Sequence, residues 1–402
     1  MKVYNSNDVK NVVLVGGAKT GKTTLAESML FEGGLITRRG SIEDKNTVSD
    51  YRPIELDRQN SVSSTVLYTE FNGKKINIID APGFDDFIGE VVAALTVADT
   101  AIMVVNAQNG VEVGTEIHFK CTKKQQKPVI FAVNHLDHEN SNFDETLRQL
   151  KAQFGSNVTV CQYPVNAGLG FNAVIDILQM KMLKFADGKV EVLDIPASEK
   201  DKAEEFQQTL MESVAENDEE LMEIFFDKGV LNEEEINKGI QIGLISRGLF
   251  PVFCVDAKHD YGVNQLMQFI LTAAPSPQQM PARKTLDGKE LKCNTSEPLS
   301  LFIFKTAIEE HIGEMSFFKV YAGEVTEGLD IVNGNNGQKE RISQLFAVAG
   351  KKREKVEKVV AGDIGATIKL KSVHTCDTLN SVKNPDDKIE PIAFPAPKIS
   401  MA

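Results

Sequence analysis

Short, almost wholly apolar runs recur through the first two thirds of the chain, at residues 12–15, 76–79, 101–105, 129–133 and 251–255. A strand without polar alternation is buried on both faces, as in a parallel sheet. Helix-like stretches, such as 22–31 and 87–97, lie between these runs. Strands alternating with helices predict an α/β domain with a mostly parallel sheet. The rhythm breaks over residues 156–245. Within that stretch, residues 197–238 read as helices, with Phe206, Leu210 and Val214 at four-residue spacing. This predicts an inserted helical subdomain. Pro275, Ser276, Pro277 and Pro281 then mark a linker. After it the texture becomes strand-like at 299–308, 316–323, 329–333, 338–348 and 364–371, punctuated by Gly, Asn and Asp clusters such as 333–337. No helical period intervenes, so an all-β antiparallel barrel is expected. The predicted organisation is an α/β domain over 1–280, with an insertion at about 156–245, and a barrel over 281–402.

Composition narrows the function. The 402 residues carry 44 Lys and Arg against 57 Asp and Glu, a net charge of −13, which argues against a simple basic nucleic-acid binder. The charge is not spread evenly. Residues 197–238 hold fourteen acids and four lysines, a net of −10, so the remainder carries −3. Surfaces elsewhere are close to neutral and can include basic loops, such as Lys351, Lys352, Arg353, Lys355 and Lys358. The apolar runs are far shorter than a membrane span, and the first ten residues hold no apolar signal core. Five scattered cysteines argue against a disulfide framework or a cysteine zinc site. Together these predict a cytoplasmic protein.

Four motifs carry candidate chemistry, each behind an apolar run. Gly16-Gly17-Ala18-Lys19-Thr20-Gly21-Lys22-Thr23 fits the P-loop pattern between a strand and a helix. Its amides, with Thr24 in the first helical turn, would converge on phosphate oxygens at a helix N-terminus. Lys22 would reach the terminal phosphates and Thr23 would ligate Mg²⁺. Asp80-Ala81-Pro82-Gly83 follows the strand at 76–79, where an acid holds Mg²⁺ and the Gly83 amide can sense a γ-phosphate. Asn134-His135-Leu136-Asp137 follows the strand at 129–133. A carboxylate at Asp137 could accept from both N1–H and the 2-amino group of guanine, which adenine does not offer. Asn134 would brace the loop, and the His135 ring could cover the purine face. Asp256-Ala257-Lys258 follows the strand at 251–255 and resembles the last GTPase element, S-A-[KLF], which implies a backbone amide offered to the base. His135 and His138 lack further ligands in sequence and do not suggest a metal site.

On these motifs the chain resembles the N-terminal part of translation elongation factor G. Residues 80–87, DAPGFDDF, are similar to the family's D-T-P-G-H-V-D-F, and Arg58-Gln59-Asn60-Ser61-Val62 stands in place of its R-G-I-T-I. Lys339-Glu340-Arg341-Ile342 and Ala361-Gly362-Asp363-Ile364 resemble landmarks of its second domain. Arg38-Arg39-Gly40 and Asp50-Tyr51 resemble the divergent, type 2 branch. The resemblance implies a P-loop GTPase domain with a mixed, mostly parallel sheet, a helical insertion and a following β-barrel. It also implies GTP or GDP with Mg²⁺, ribosomal RNA and stalk proteins as partners, no membrane or DNA partner, a monomer, and a segment of a longer protein. Carried over residue by residue, Thr23, Ser61 and Asp80 would serve the metal. Lys22, Gly83 and residue 84 would serve the chemistry.

Departures from the family set the expectation for catalysis. The family's water-orienting histidine is here Phe84, which has no donor or acceptor. Positioned groups of that kind contribute about 10²–10⁴-fold, so hydrolysis is expected to be weak. Ser61 keeps a hydroxyl where the family has threonine. Lys19 replaces an aspartate and would bring an amine near the phosphates. The expected function is a GTP-binding factor acting on the ribosome in translocation. The alternative is a non-hydrolysing ribosome-binding paralogue or a ribosome-protection factor.

Overall fold

The computed structural model describes residues 2–396, except 187, 310 and 311. The first domain is built on a seven-stranded sheet. Its strands are β1 (Val9–Val15), β2 (Thr65–Phe71), β3 (Lys74–Asp80), β4 (Thr100–Asn106), β5 (Val129–Asn134) and β6 (Val158–Val160), joined late in the chain by β11 (Phe250–Cys254). The spatial order is β2-β3-β1-β4-β5-β11-β6. Every pairing is parallel except β2 with β3. The sheet is therefore mixed and mostly parallel, as the apolar runs predicted. β1, β4, β5 and β11 are buried along their whole length.

Register puts the chemistry on one edge. Leu14 pairs with Asp80, Asn106 with Asn134, and Cys254 with Val133. The four motif loops thus leave the sheet at the carboxyl ends of neighbouring strands, where parallel α/β sheets bind ligands.

The stretch expected to be a helical insertion begins differently. β6, inside 156–245, belongs to the main sheet. It is followed by β7 (Gln162–Pro164), β8 (Ala173–Asp176), β9 (Lys181–Ala186) and β10 (Lys189–Leu193), a separate antiparallel sheet of order β10-β9-β8-β7. Helices occupy only the later part, Lys200–Ala215, Glu219–Lys228 and Glu233–Ser246. β9 and β10 interleave apolar residues with lysine, and β7 and β8 are only three and four residues long, so none gives an extended all-apolar run. Leu210 and Val214 are buried as their spacing required, and Phe206 packs beside them.

The second domain is antiparallel throughout: an eight-stranded sheet running from Ser300–Glu309 to Thr378–Asn380, with a two-stranded ladder of Glu324–Thr326 and Lys358–Val360. The run at 338–348 divides into two strands, Lys339–Arg341 and Leu345–Ala349. The basic cluster expected on a loop lies instead largely on two strands, Lys352–Val356 and Lys358–Val360. Lys355 pairs with Glu327 and Lys358 with Glu324.

Among the described residues several ion pairs join the domains, including Arg52 with Glu309 at 3.6 Å. Lys75 meets Asp363 at 2.8 Å, Lys319 meets Asp99 at 2.6 Å, and Lys305 meets Glu90 at 2.7 Å. Asn77 also donates to Asp363, at 2.8 Å, and the Asn11 amide donates to Gly362 O at 2.7 Å. Such pairs add little net stability against apolar packing, but losing one partner strands a buried charge. They fix one register between the domains. Among the described residues no helix is long and apolar enough to cross a membrane.

Candidate functional site

The loop after β1 is held open by left-handed backbone. Gly16, Lys19 and Gly21 have φ of 136°, 62° and 90°. At Gly21 a Cβ would collide with the Asn134 amide, so glycine is required there. Gly21 also caps the helix Lys22–Glu32. The Lys22 ammonium donates to the Gly16 and Gly17 carbonyls at 3.0 and 2.7 Å. Burial pushes its pKa down to about 8, against the pull of Asp80 and Asp50. Gly83 lies directly over this loop. A Cβ on it would come within 2.5 Å of Lys22 Nζ and 2.7 Å of Ala18 Cα.

Beside Lys22 sits a knot of hard oxygen atoms. Thr23 Oγ1 donates to Asp80 Oδ2 at 2.8 Å and is 3.2 Å from Ser61 Oγ. Ser49 Oγ donates to the same Asp80 oxygen at 2.7 Å. Asp80 Oδ1 and both carboxylate oxygens of Asp50 are buried with no hydrogen-bond partner. Burial, and then the nearby Asp80 charge, pushes the Asp50 carboxyl up to about 7; burial likewise raises Asp80. Orphaned carboxylate oxygens among hydroxyls are the donor set of a small hard cation, so the residues fit Mg²⁺. Sequence placed Thr23, Ser61 and Asp80 here. It did not place Ser49, and it read Asp50 only as part of the Asp50-Tyr51 branch landmark, with no role at the cation.

The cleft between these loops, bordered by Lys19, Lys22, Asp50, Ser61, Gly83 and Phe84 among others, is only about 70 Å³. Lys19 is exposed at the rim. Phe84 is 39% exposed and presents no polar atom to the cleft.

At the other end, Asn134 ties two loops together. Its Nδ2 donates to Thr20 O at 2.9 Å and its Oδ1 accepts from Ala257 N at 3.1 Å. The Ala257 carbonyl accepts from Ser28 Oγ at 2.6 Å. Asp137 is partly exposed beside Asp256 and His259. The amides of Lys258 and His259 are spent on Asp256 Oδ1, at 3.1 and 3.2 Å. His135 has φ 62° and its ring lies against Gly21, tucked toward the phosphate loop. Burial lowers its pKa.

Two further layers were invisible in sequence. Three buried or half-buried glutamates scaffold the segment from Gly40 to Ser64. Glu27 accepts from Gly40 N and Val48 N at 2.8 and 2.9 Å. Glu55 accepts from Val62 N and Ser63 N at 3.2 and 3.1 Å. Glu90 accepts from Ser64 N at 2.7 Å and from Lys305 of the second domain. Burial alone would raise the Glu90 carboxyl, but Lys305 and Ser64 outweigh it and hold it low.

The other layer is His118, wholly buried on the helix Val113–Lys124. Its Nδ1 accepts from Gly16 N at 2.8 Å, which fixes Nε2 as the protonated nitrogen, and Nε2 has no partner. Burial, then the Lys22 charge, pushes its pKa from 6.5 down to about 3. The unfolded chain takes up that proton near pH 6.5 and the folded chain does not. Stability from this group is therefore full above pH 6.5 and lost as pH falls from there toward about 3. His118→Gln, which does not titrate, is expected to show a smaller loss of urea midpoint between pH 7 and pH 4.5 than wild type. Equal losses would contradict this.

Residues 7–276 match the elongation factor Tu GTP binding domain, and residues 298–382 match elongation factor G domain 2. The chain belongs to the elongation factor G family of translational GTPases. The solved crystal structure of ttk003000868 from Thermus thermophilus is similar, with 27% identity and a TM-score of 0.84. That likeness covers 92% of this chain and 54% of the other, so the chain spans about half the length of this relative.

Proposed function

We propose that this chain binds GTP and GDP with Mg²⁺ and serves as the nucleotide-reading half of an elongation factor G-type protein acting on the ribosome in translocation. The observation that carries this is the convergence of all four loops on one sheet edge, with orphaned carboxylate oxygens beside Lys22 and Thr23. Gly16 to Thr24 cradle the phosphates with backbone amides, and Lys22 exchanges its loop carbonyls for phosphate oxygens. Thr23, Ser61 and Asp80 would hold Mg²⁺, with the Asp50 carboxylate close by. When bound, the ion neutralises phosphate charge. Asp137 takes the guanine donors, Asn134 and His135 hold that loop against the phosphate loop, and Asp256, Ala257 and Lys258 close the base pocket. Phosphate contact orders the segments around Ser61 and Gly83. Lys305 and Glu90 then pass the position of Ser64 to the second domain.

Phe84 supports a second reading, a factor that binds ribosomes without hydrolysis, as a paralogue or a protection factor. The first reading predicts ribosome binding gated by the nucleotide. Pelleting of the full-length protein with ribosomes is expected to be about tenfold tighter with a non-hydrolysable GTP analogue than with GDP. Equal pelleting would contradict the first reading and favour nucleotide-independent binding.

A further inference from the structure

The base-reading loop contains a carboxylate that its counterpart in the family motif, S-A-[KLF], does not. Where that motif has serine, this chain has Asp256, 1% exposed and within 4.8 Å of Asp137, measured between ligand atoms. Two carboxylates so placed repel, and the repulsion would swing Asp137, the more exposed of the two, off its line to the base. The structure supplies a counterweight. His259 Nδ1 is 2.6 Å from Asp256 Oδ2 and 3.7 Å from Asp137 Oδ2. One Nδ1–H therefore bonds Asp256 while the same ring edge faces Asp137. Asp256 Oδ1 is already engaged by two backbone amides, which suits a polar brace rather than a ligand free for a cation. The turn is closed by reciprocal backbone bonds between Asp256 and Tyr261, at 2.9 and 3.0 Å. Tyr261 lies 5.8 Å from the His259 ring and is stacked on Phe185 at 5.2 Å. The histidine is thus held from below by a rigid aromatic pair.

We propose that His259 is a positioning residue for guanine recognition: it ties down Asp256 and keeps the Asp137 carboxylate aimed at the base edge. This rests on the reading of Asp137 as the guanine acceptor. It makes His259 a determinant of specificity with no contact to the nucleotide required.

The test compares GDP with IDP, whose hypoxanthine base lacks the 2-amino group and so offers Asp137 one donor where guanine offers two. Dissociation constants for GDP, IDP and ADP are measured for wild type, His259→Ala, His259→Asn, and His259→Ala combined with Asp256→Ser. The IDP-to-GDP ratio is expected to fall about tenfold in His259→Ala, equivalent to about 1.4 kcal/mol. His259→Asn is expected to restore most of it, because the asparagine Nδ2–H stands where the imidazole Nδ1–H stood. Asp256→Ser is expected to restore it too, by removing the charge that needs bracing. A merely structural histidine would weaken all nucleotides alike and leave the ratio unmoved, which would overturn the proposal. So would an unchanged ratio in His259→Ala. A wild-type ratio near one overturns the guanine reading and this proposal with it, so the two failures are distinguishable.

Discussion

Asp137→Asn is expected to exchange guanine for xanthine. Guanine presents N1–H and a 2-amino group to the carboxylate, two donors to two acceptor oxygens. Asparagine keeps one acceptor and replaces the other with an N–H donor, which meets the 2-amino group head-on. Xanthine keeps N1–H and carries a carbonyl at position 2, so the pairing becomes complementary again. Sites built around buried hydrogen bonds discriminate by about 10⁴–10⁵. Asp137 is only partly buried, with a side chain 23% exposed, so a loss of about 10³-fold in GDP affinity is the reasonable scale. XDP affinity is expected to rise by a similar factor, read by competition against a labelled nucleotide. The variant should fold normally, because no backbone amide depends on the Asp137 carboxylate among the described residues. Unchanged GDP affinity would place base recognition elsewhere.

Phe84→His is expected to raise single-turnover GTP hydrolysis on ribosomes by about 10²–10⁴-fold in the full-length protein. Phe84 borders the cleft beside Gly83 and Ser61 and contributes no polar atom. It sits at the N-cap of the short turn Asp85–Phe87, with φ −86° and ψ 139°. A histidine adopts that backbone without strain, and at 39% exposure it buries no unpaired nitrogen. The gain therefore reads chemistry and not folding. Wild-type hydrolysis already as fast as the variant would show that another group orients the water. Lys19, exposed at the rim, would be the next residue to replace.

The parts that sequence made legible are those whose physics is local. β1, β3, β4, β5 and β11 are buried along nearly their whole length, and each carries a short apolar run that the sequence shows directly. The P-loop glycines answer to backbone geometry within eight residues. β2 escaped, since Thr65, Tyr68 and Thr69 give it a mixed pattern; it is buried because the second domain covers it, with Gly350 N donating to Val66 O. Strand Lys352–Val356 read as a basic loop because its exposed positions are lysines and a glutamate. In the site, loops that follow strands were found, whereas Asp50, Glu55, Glu90 and His118 were not. Glu90 acts on Lys305 and His118 on Gly16, far along the chain, while Glu55 holds loop amides seven and eight residues on, and no spacing rule encodes such meetings.

The central claim is that this sheet edge reads guanine, and titration calorimetry with Mg²⁺ tests it most directly. Each nucleotide is titrated into the protein under identical conditions. The account predicts measurable GTP and GDP binding, with ATP weaker by at least about 10³-fold. Equal affinity for GTP and ATP would contradict it.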